Sequence, residues 1–272
     1  FFWLLIVNID INEVFKLLIN FPILYIFIAL SILIIQVLVA NFRWKVVLFN
    51  LNINVPSRDI LKILWIGLFF NQLLPSSVGG DAFRGYYLYK RGFTLSQSVL
   101  SVMLDRMIGF LSLVIMVLGT LFFVLDIVSD PIAQWGVLTL TIGASITLLL
   151  VLSLDHFSKR LIHWKLFRGL STVAFEGRKL VLKFSPGFKL LIIGFSIHLL
   201  TIFVYLLLLK GMNLDVNLIK FALIIPILGL LMLAPISIAG WGLREGVMVI
   251  GLGYLGVLPE NAFALSILYG IL

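Results

Sequence analysis

Residues 22–42 read PILYIFIALSILIIQVLVANF and contain no charged side chain. A helix of about 20 apolar residues crosses the ~30 Å hydrocarbon core of a bilayer, because it rises about 1.5 Å per residue. Three further runs have the same character, at residues 98–125, 132–154 and 187–209. These runs are continuous and do not alternate as the strands of a membrane barrel do. The sequence therefore predicts an all-α, polytopic transmembrane helical bundle with four crossings.

The composition of the whole chain agrees with this prediction. Of its 272 residues, 62% are apolar and 12% are charged, whereas soluble domains average about 45–50% and about 25%. The chain has no cysteine, which excludes disulfides, thiolate nucleophiles and cysteine-ligated metals. The three histidines, His156, His163 and His198, are too scattered in the sequence to predict a metal site. We therefore expect no metal and no cofactor, and no P-loop or hydrolase motif is found.

The placement of the basic residues predicts the orientation. The formal net charge is +8, and the lysines and arginines concentrate in residues 43–62, 84–91 and 155–186, whereas the connection around 126–130 is acidic. The positive-inside rule puts the basic segments in the cytoplasm. We expect a multi-pass protein of the cell (plasma) membrane, with the loop 155–186 cytoplasmic. We also expect one transmembrane domain over residues 1–272, truncated at both ends because each end interrupts an apolar run.

The apolar stretch 60–74 does not fit a simple crossing. Both of its flanks are basic, so both are predicted to be cytoplasmic, and about 15 residues are few for a span. A re-entrant segment that turns back at residues 75–80 satisfies both flanks. Irregular backbone at membrane depth requires cover by protein or by a watery cavity, so this segment is expected to lie against one or the other.

The turn of this segment is repeated later in the chain. Residues 73–84 read LLPSSVGGDAFR and residues 233–244 read LAPISIAGWGLR; we call them the first and second motifs. Three predicted crossings lie between them, so the second copy faces the opposite way. This indicates an inverted-topology repeat, as in many secondary transporters, with copies around 60–104 and 219–268. The symmetry predicts a second re-entrant segment at residues 219–233.

Each motif has the residues of an anion site. Proline ends a helix and glycine permits a tight turn. The N-terminus of the next helix and an arginine then attract phosphate. The predicted substrate-binding residues are Arg84, Arg244, Gly79, Gly80, Gly240, Ser77, Ser237 and Asn71. The polar residues among them either line a cavity or satisfy broken backbone. The predicted charge network, which either supports the turns or takes part in transport, comprises Asp81, Asp105, Arg106 and Glu245. Asp81 follows the first turn directly and is expected to cap the new helix or to pair with Arg84 or Arg106.

Three stretches carry a resemblance to a known family. They are residues 71–92 (NQLLPSSVGGDAFRGYYLYKRG), 98–109 (SVLSVMLDRMIG) and 235–246 (PISIAGWGLREG). The chain resembles, over nearly its whole length, the lysylphosphatidylglycerol synthase transmembrane family. The resemblance implies a flippase-like domain, as in the N-terminal part of membrane lysyltransferases. Such domains move modified phospholipids or accompany the synthesis of lipid-linked products, and any catalytic part is expected on another chain or absent.

Together these features predict a lipid translocase or flippase rather than an enzyme. Its partner is a membrane phospholipid, plain or aminoacylated, whose head group passes through a polar cavity between the two re-entrant hairpins; no nucleic acid is expected. Two alternatives remain open. The first is an integral-membrane enzyme that acts on a lipid phosphate or polyprenyl carrier, with Asp81, Asp105 or Glu245 as acid or base. The second is a non-catalytic membrane partner of a lipid-modifying synthase, recruited through the loop 155–186.

Overall fold

The structure, a computed structural model, describes residues 9–73, 78–157, 165–233 and 241–272. Within these ranges the chain is helical and contains no strand. The eleven helices described are α1 Ile11–Ile19, α2 Ile23–Asn50, α3 Ser57–Leu73, α4 Val78–Lys90, α5 Leu95–Ile127, α6 Pro131–Phe157, α7 Lys165–Leu182, α8 Phe184–Gly211, α9 Leu218–Leu231, α10 Leu243–Gly253 and α11 Pro259–Ile271. The all-helical prediction is confirmed.

Four of these helices are long and apolar enough to cross a membrane. They are α2, α5, α8 and the part Pro131–Leu154 of α6, and they coincide with the four runs predicted to cross the membrane. The shortest of the four spans has 24 residues, about 36 Å at 1.5 Å per residue, which exceeds the ~30 Å hydrocarbon core. Helix α2 continues beyond the predicted end at residue 42 to Asn50, so Arg43 and Trp44 lie inside a helix rather than in a loop.

The helices around the two motifs are shorter. Helix α3 has 17 residues and α9 has 14, about 26 Å and 21 Å, so neither reaches across the core alone. Helix α3 packs against α4, and α10 packs against both α9 and α11. Of the predicted first turn, residues 78–80 belong to α4, so Gly79 and Gly80 lie in the first turn of a helix rather than in the tight turn expected of them. Residues 74–77, and residues 234–240 of the second motif, lie outside the described residues. The re-entrant segments and the inverted repeat therefore stay predictions.

The chain divides into two compact units. The first-motif unit comprises Val37–Ile115 and Thr141–Ile197, and the second-motif unit comprises Phe1–Gln36, Met116–Leu140 and His198–Leu272. Each long helix contributes residues to both units, and each unit contains one copy of the motif. Whether residues 1–272 form one domain stays a prediction, and the units are described separately below.

The core of the first-motif unit surrounds Trp44, which is fully buried together with Leu48, Ile60 and Leu104. At the surface of this unit, Nη1 of Arg91 donates to Oδ2 of Asp59 at 2.7 Å. This hydrogen bond lowers the pKa of Asp59 below its usual value. The pair connects the first turn of α3 to the chain just after α4, so it helps to fix how these two helices pack.

Candidate functional site

The first-motif unit contains a continuous network of five charged side chains, which we call the five-charge network. Helix α4 supplies Asp81 and Arg84, α5 supplies Asp105 and Arg106, and α2 supplies Arg43. Charged side chains at membrane depth are costly and rare unless they are paired. A network that joins three helices in this way is therefore a candidate for function as well as for structure.

Asp105 is the centre of the network and only 2% exposed. Nε of Arg43 donates to its Oδ1 at 2.8 Å, and Nη2 of Arg84 donates to its Oδ2 at 2.8 Å. Both arginines are buried as well. Each carboxylate oxygen of Asp105 thus has its own guanidinium, which is the arrangement that compensates a buried charge for its lost hydration.

Asp81 continues the network from the buried centre to a more exposed arginine. Nη1 of Arg84 donates to its Oδ1 at 3.2 Å. Arg106 binds both oxygens of the same carboxylate, with Nε to Oδ2 at 2.6 Å and Nη2 to Oδ1 at 3.0 Å. The side chain of Arg106 is 50% exposed, against 6% for Arg84. Of the three arginines, only Arg106 is accessible to a ligand from outside the protein.

Helix geometry explains why the adjacent residues Asp105 and Arg106 of α5 differ so strongly in exposure. Successive residues of a helix are rotated by about 100°, whereas residues three apart lie on the same face. Asp105 therefore points into the core of the unit, whereas Arg106 points towards Asp81 and lines the cavity described below. Asp81 and Arg84, three apart on α4, meet through a direct ion pair.

Arg84 is enclosed by protein groups on every side that the structure describes. Its guanidinium carbon lies 4.2 Å from the centroid of the Trp44 ring, a cation–π contact. A Cβ added at Gly67 would lie 2.8 Å from the Cγ of Arg84, so the absence of a side chain there makes room for the arginine stem. Nε of Arg84 has no hydrogen-bond partner among the described residues.

A pair of glycines brings α3 and α4 together at this point. A Cβ at Gly80 would collide with the carbonyl oxygen of Gly67 and with Oδ1 of Asn71. The same Oδ1 accepts a hydrogen bond from the Gly80 backbone N–H at 2.9 Å. The Asn71 side chain thus satisfies a donor in the first turn of α4, which has no partner within its own helix.

This packing predicts that Gly80→Ala lowers the stability of the protein. The added methyl group would contact backbone atoms, which cannot move aside as easily as a flexible side chain. Overpacking of this kind costs about 1–3 kcal/mol. Gly85→Ala is the matched control on the same helix, since nothing lies within 4 Å of a Cβ at Gly85. It is expected to be neutral or to stabilise by up to about 1 kcal/mol. Thermal unfolding in detergent measures both; equal midpoints for the two variants would contradict the close packing.

A cavity of about 740 Å³ opens beside the five-charge network, within the first-motif unit. Its walls come from α4, α5, α6 and α7, and almost all of them are apolar. Asp81 and Arg106 are the charged side chains among the described residues that line it. The others are Ala82, Gly85, Tyr86, Leu95, Val99, Val102, Met103, Met107, Phe110, Leu148, Val151, Leu170 and Val173. The cavity thus combines an extended apolar wall with one partly exposed guanidinium.

The second-motif unit contains a smaller and more closed network. Glu245 is 1% exposed. Its Oε1 accepts from Nη2 of Arg244 at 2.8 Å and from Oγ of Ser266 at 3.1 Å, and its Oε2 accepts from the backbone N–H of Gly242 at 2.6 Å. Gly242 has φ +84°, a conformation that favours glycine. One carboxylate therefore holds both the arginine and the start of α10.

Arg244 resembles Arg84 in its surroundings. Its guanidinium carbon lies 4.7 Å from the centroid of the Trp241 ring. A Cβ at Gly270 on α11 would collide with this guanidinium, just as Gly67 gives room to Arg84. In both units the arginine of the motif is buried, contacts a tryptophan and packs beside a glycine.

The predicted site residues are thus placed as follows. Arg84, Asp81, Asp105 and Arg106 come together in one network, and Arg244 and Glu245 come together in the other. Asn71 and Gly80 contact each other, and Gly79 lies beside them in the first turn of α4. Ser77, Ser237 and Gly240 lie outside the described residues. Direct contact of these residues with a substrate stays a prediction.

Sequence reasoning missed several members of the networks. From the sequence, Arg43 is interpreted as a flanking charge after the first crossing. In the structure it is buried and forms an ion pair with Asp105. Ser266, Gly67 and Gly270 lie in ordinary apolar surroundings. A signal existed for Arg43, because a lone acid in a crossing requires a partner. None existed for the other three. Among the described residues, no group of three or more His, Asp or Glu is placed to hold a metal ion.

Comparison with known proteins places the chain in a family. The model of the lysylphosphatidylglycerol synthase TM region matches residues 1–272. A UPF0104 membrane protein from Methanocaldococcus jannaschii is 32% identical over 117 residues, 41% of this chain and 34% of the relative. A second UPF0104 membrane protein, from Pyrococcus horikoshii, is 27% identical over 147 residues, 53% of this chain and 42% of the relative.

The matched regions thus span less than half the length of these curated relatives. No solved structure matches the chain. The family match covers every residue, and four helices have the length and composition of membrane spans. The chain is an integral membrane protein that belongs to the lysylphosphatidylglycerol synthase transmembrane family.

Proposed function

We propose that this protein binds a phospholipid in the cavity of the first-motif unit and moves it between the two leaflets. The observation that carries the proposal is the cavity itself, in which apolar walls end at the half-exposed Arg106. Its volume of about 740 Å³ lies within the range of about 300–1,000 Å³ typical of ligand sites. An amphiphile matches such walls, because its chains fit apolar side chains and its phosphate fits a guanidinium.

The position of Arg106 along α5 supports this assignment. It lies eleven residues after Leu95, about 16 Å along a 33-residue helix of about 50 Å. If the ~30 Å hydrocarbon core is centred on this helix, Arg106 lies about 6 Å inside the boundary of one leaflet. A head group bound there needs to leave its ordinary depth by only a few ångströms. The positive-inside rule makes this the cytoplasmic leaflet.

In this proposal the five-charge network positions the guanidinium of Arg106, which binds the lipid. Arg84 is a positioning residue: it bonds Asp81 and Asp105 at once, so it fixes the carboxylate that orients Arg106. In the second-motif unit Arg244 is held by Glu245 in a similar way. The direct contact of Arg84 and Arg244 with the head group, expected from the motif, stays a prediction. Movement between leaflets is attributed to rocking of the two copies of the repeat.

Filling the cavity tests the proposal. In liposomes reconstituted with the protein and a fluorescent phospholipid, Met103→Trp is expected to slow lipid movement, because its larger side chain enters the cavity. Overpacking costs about 1–3 kcal/mol, equivalent to about a five- to 150-fold loss of occupancy. Leu118→Trp is the matched control, since Leu118 is an exposed residue of the same helix that does not line the cavity. It is expected to leave the rate unchanged.

Two outcomes would count against the proposal. Equal rates for Met103→Trp and the wild-type protein would show that the cavity is not the lipid path. Mass spectrometry of the recovered lipid gives the second readout. An unchanged mass accompanies transport, whereas a covalently changed lipid would favour the integral-membrane enzyme instead.

A further inference from the structure

We infer that helix α1 lies in the boundary of the bilayer, with Ile11, Phe15 and Ile19 inserted among the lipid chains. The inference concerns the second-motif unit and is independent of the proposed function. These three residues are 48%, 59% and 79% exposed. They recur every four residues, and residues four apart lie on the same face of a helix. Helix α1 therefore carries a continuous apolar stripe that the protein leaves uncovered, which we call the exposed stripe.

The rest of the apolar surface of α1 packs against α11. Val14 is 4% exposed and belongs to a cluster with Phe263 and Ala264 of α11. Leu17 and Leu18 pack against the same cluster. Because successive residues are rotated by about 100°, the three apolar residues of α1 in this cluster form an arc directly beside the exposed stripe. One half of the apolar surface thus holds α1 on the protein, and the other half faces outwards.

The remaining arc of α1 is polar and exposed to solvent. It contains Asn12, Glu13 and Lys16. Nζ of Lys16 donates to Oε2 of Glu13 at 3.3 Å, so this pair has no net charge. A helix with a wide apolar arc and a polar arc opposite is typical of the plane of a membrane surface. Since the polar arc is not basic, the attraction comes from apolar contact rather than from anionic lipid.

The position of α1 in the chain sets its depth. It ends at Ile19, and the membrane-spanning helix α2 begins at Ile23. The apolar residues 23–42 span about 30 Å, so the first turn of α2 lies at one boundary of the hydrocarbon core. The link is packed tightly, because Phe21 is 7% exposed and a Cβ added at Gly211 would lie 2.6 Å from its Cζ. Helix α1 therefore begins and ends close to this boundary.

Lipid chains are the occupant that fits the exposed stripe. Its three side chains of at most about 250 Å² each are partly covered, so the stripe offers at most about 500 Å². A stable protein interface buries about 800 Å² on each partner, which the stripe does not reach. Burial of apolar surface away from water is favourable, and lipid chains are present at this depth. The contact also supports α11, whose Ser266 bonds Glu245 in the second-motif network.

Spin labelling of the full chain in liposomes tests the inference. The chain has no cysteine, so a label on one introduced cysteine reports a single position. The test variants are Phe15→Cys and Ile19→Cys. Asn12→Cys, on the polar arc, is the matched control, and Phe27→Cys, at a residue of α2 that is 61% exposed, is the reference for lipid. Collision rates are measured with oxygen, which concentrates in lipid chains, and with a nickel chelate, which stays in water.

The ratio of oxygen collisions to nickel collisions decides the question. At positions 15 and 19 it is expected to be several-fold higher than at position 12 and to approach the ratio at position 27. Equal ratios at positions 15 and 12 would place the exposed stripe in water and overturn the inference. Low collision rates with both reagents at positions 15 and 19 would show that protein covers the stripe, and would overturn it as well. Magnetic broadening between labels would then identify that cover as a second copy of the chain. The label at position 19 decides alone if Phe15→Cys fails to fold.

Discussion

Asp105→Asn is expected to lower the free energy of unfolding by about 3–5 kcal/mol, because it leaves two buried guanidiniums without their shared counter-ion. Arg43 and Arg84 donate to opposite oxygens of this carboxylate at 2.8 Å. Asparagine keeps one oxygen but replaces the other by an NH₂ group, which faces a guanidinium donor. At about 2–4 °C per kcal/mol for a chain of this size, the thermal midpoint falls by about 6–20 °C.

Asp126→Asn is the matched control for this prediction. Asp126 lies near the other end of the same helix, and its side chain is exposed, so the substitution is expected to change stability by less than about 0.5 kcal/mol. The unfolding of both variants is measured by thermal denaturation in the same detergent. An Asp105→Asn variant as stable as the Asp126→Asn variant would show that the network contributes nothing to the fold.

A double variant separates the unpaired charge from the lost hydrogen bonds. Arg43→Gln removes one of the two guanidiniums that Asp105→Asn leaves unpaired. If the unpaired charge dominates, the double variant is less destabilised than the sum of the two single variants. Strict additivity would instead indicate that the two side chains act independently.

The crossings were predictable because they follow from length and apolarity, which are local properties of the chain. Helices α2, α5 and α8 begin and end within a few residues of the predicted bounds, with one exception. Helix α2 continues to Asn50, since Arg43 and Lys45 do not stop a helix. The hydropathy pattern shows where the apolar segment of the sequence ends. The helix itself ends where its backbone hydrogen bonds end.

The pairing of Asp81 with Arg84 and Arg106, which the sequence suggests, is present in the structure. The need of an intramembrane acid for a partner is also visible in the sequence, but which residues pair with Asp105 depends on tertiary packing. The sequence places Arg106 directly after Asp105. In a helix, however, adjacent side chains point about 100° apart, and Asp105 pairs with residues 62 and 21 positions away. Arg106 pairs instead with Asp81 on another helix. A single sequence contains no measure of these distances.

The two copies of the motif show how similar sequences can give different sites. Both keep the arginine at the twelfth position, and both bury it beside a tryptophan and a glycine. The acid differs: Asp81 precedes Arg84 by three residues, whereas Glu245 follows Arg244 directly. The first arrangement leaves Asp81 accessible to Arg106 and to the cavity. The second turns the carboxylate back onto the start of its own helix.

Glu245→Gln is expected to destabilise the second-motif unit by about 3–5 kcal/mol, as removal of one partner of a buried ion pair does. Three different donors converge on this carboxylate: Arg244, the Oγ of Ser266 and the backbone N–H of Gly242. Glutamine keeps one acceptor oxygen, so it cannot serve all three. We expect α10 to lose the contact that fixes its first turn, while the buried Arg244 loses its counter-ion.

Two further variants rank the contributions within this network. Ser266→Ala removes a buried hydroxyl that bonds two charged groups, and it is expected to cost about 1.5–3 kcal/mol, the usual value of a hydrogen bond to a charged group. Glu13→Gln breaks an exposed pair with Lys16 in the same unit and is expected to cost at most about 1 kcal/mol. Thermal midpoints should therefore fall most for Glu245→Gln, less for Ser266→Ala and least for Glu13→Gln. If Ser266→Ala proved as damaging as Glu245→Gln, the hydroxyl rather than the ion pair would hold this unit together, and the parallel with Asp105 would fail.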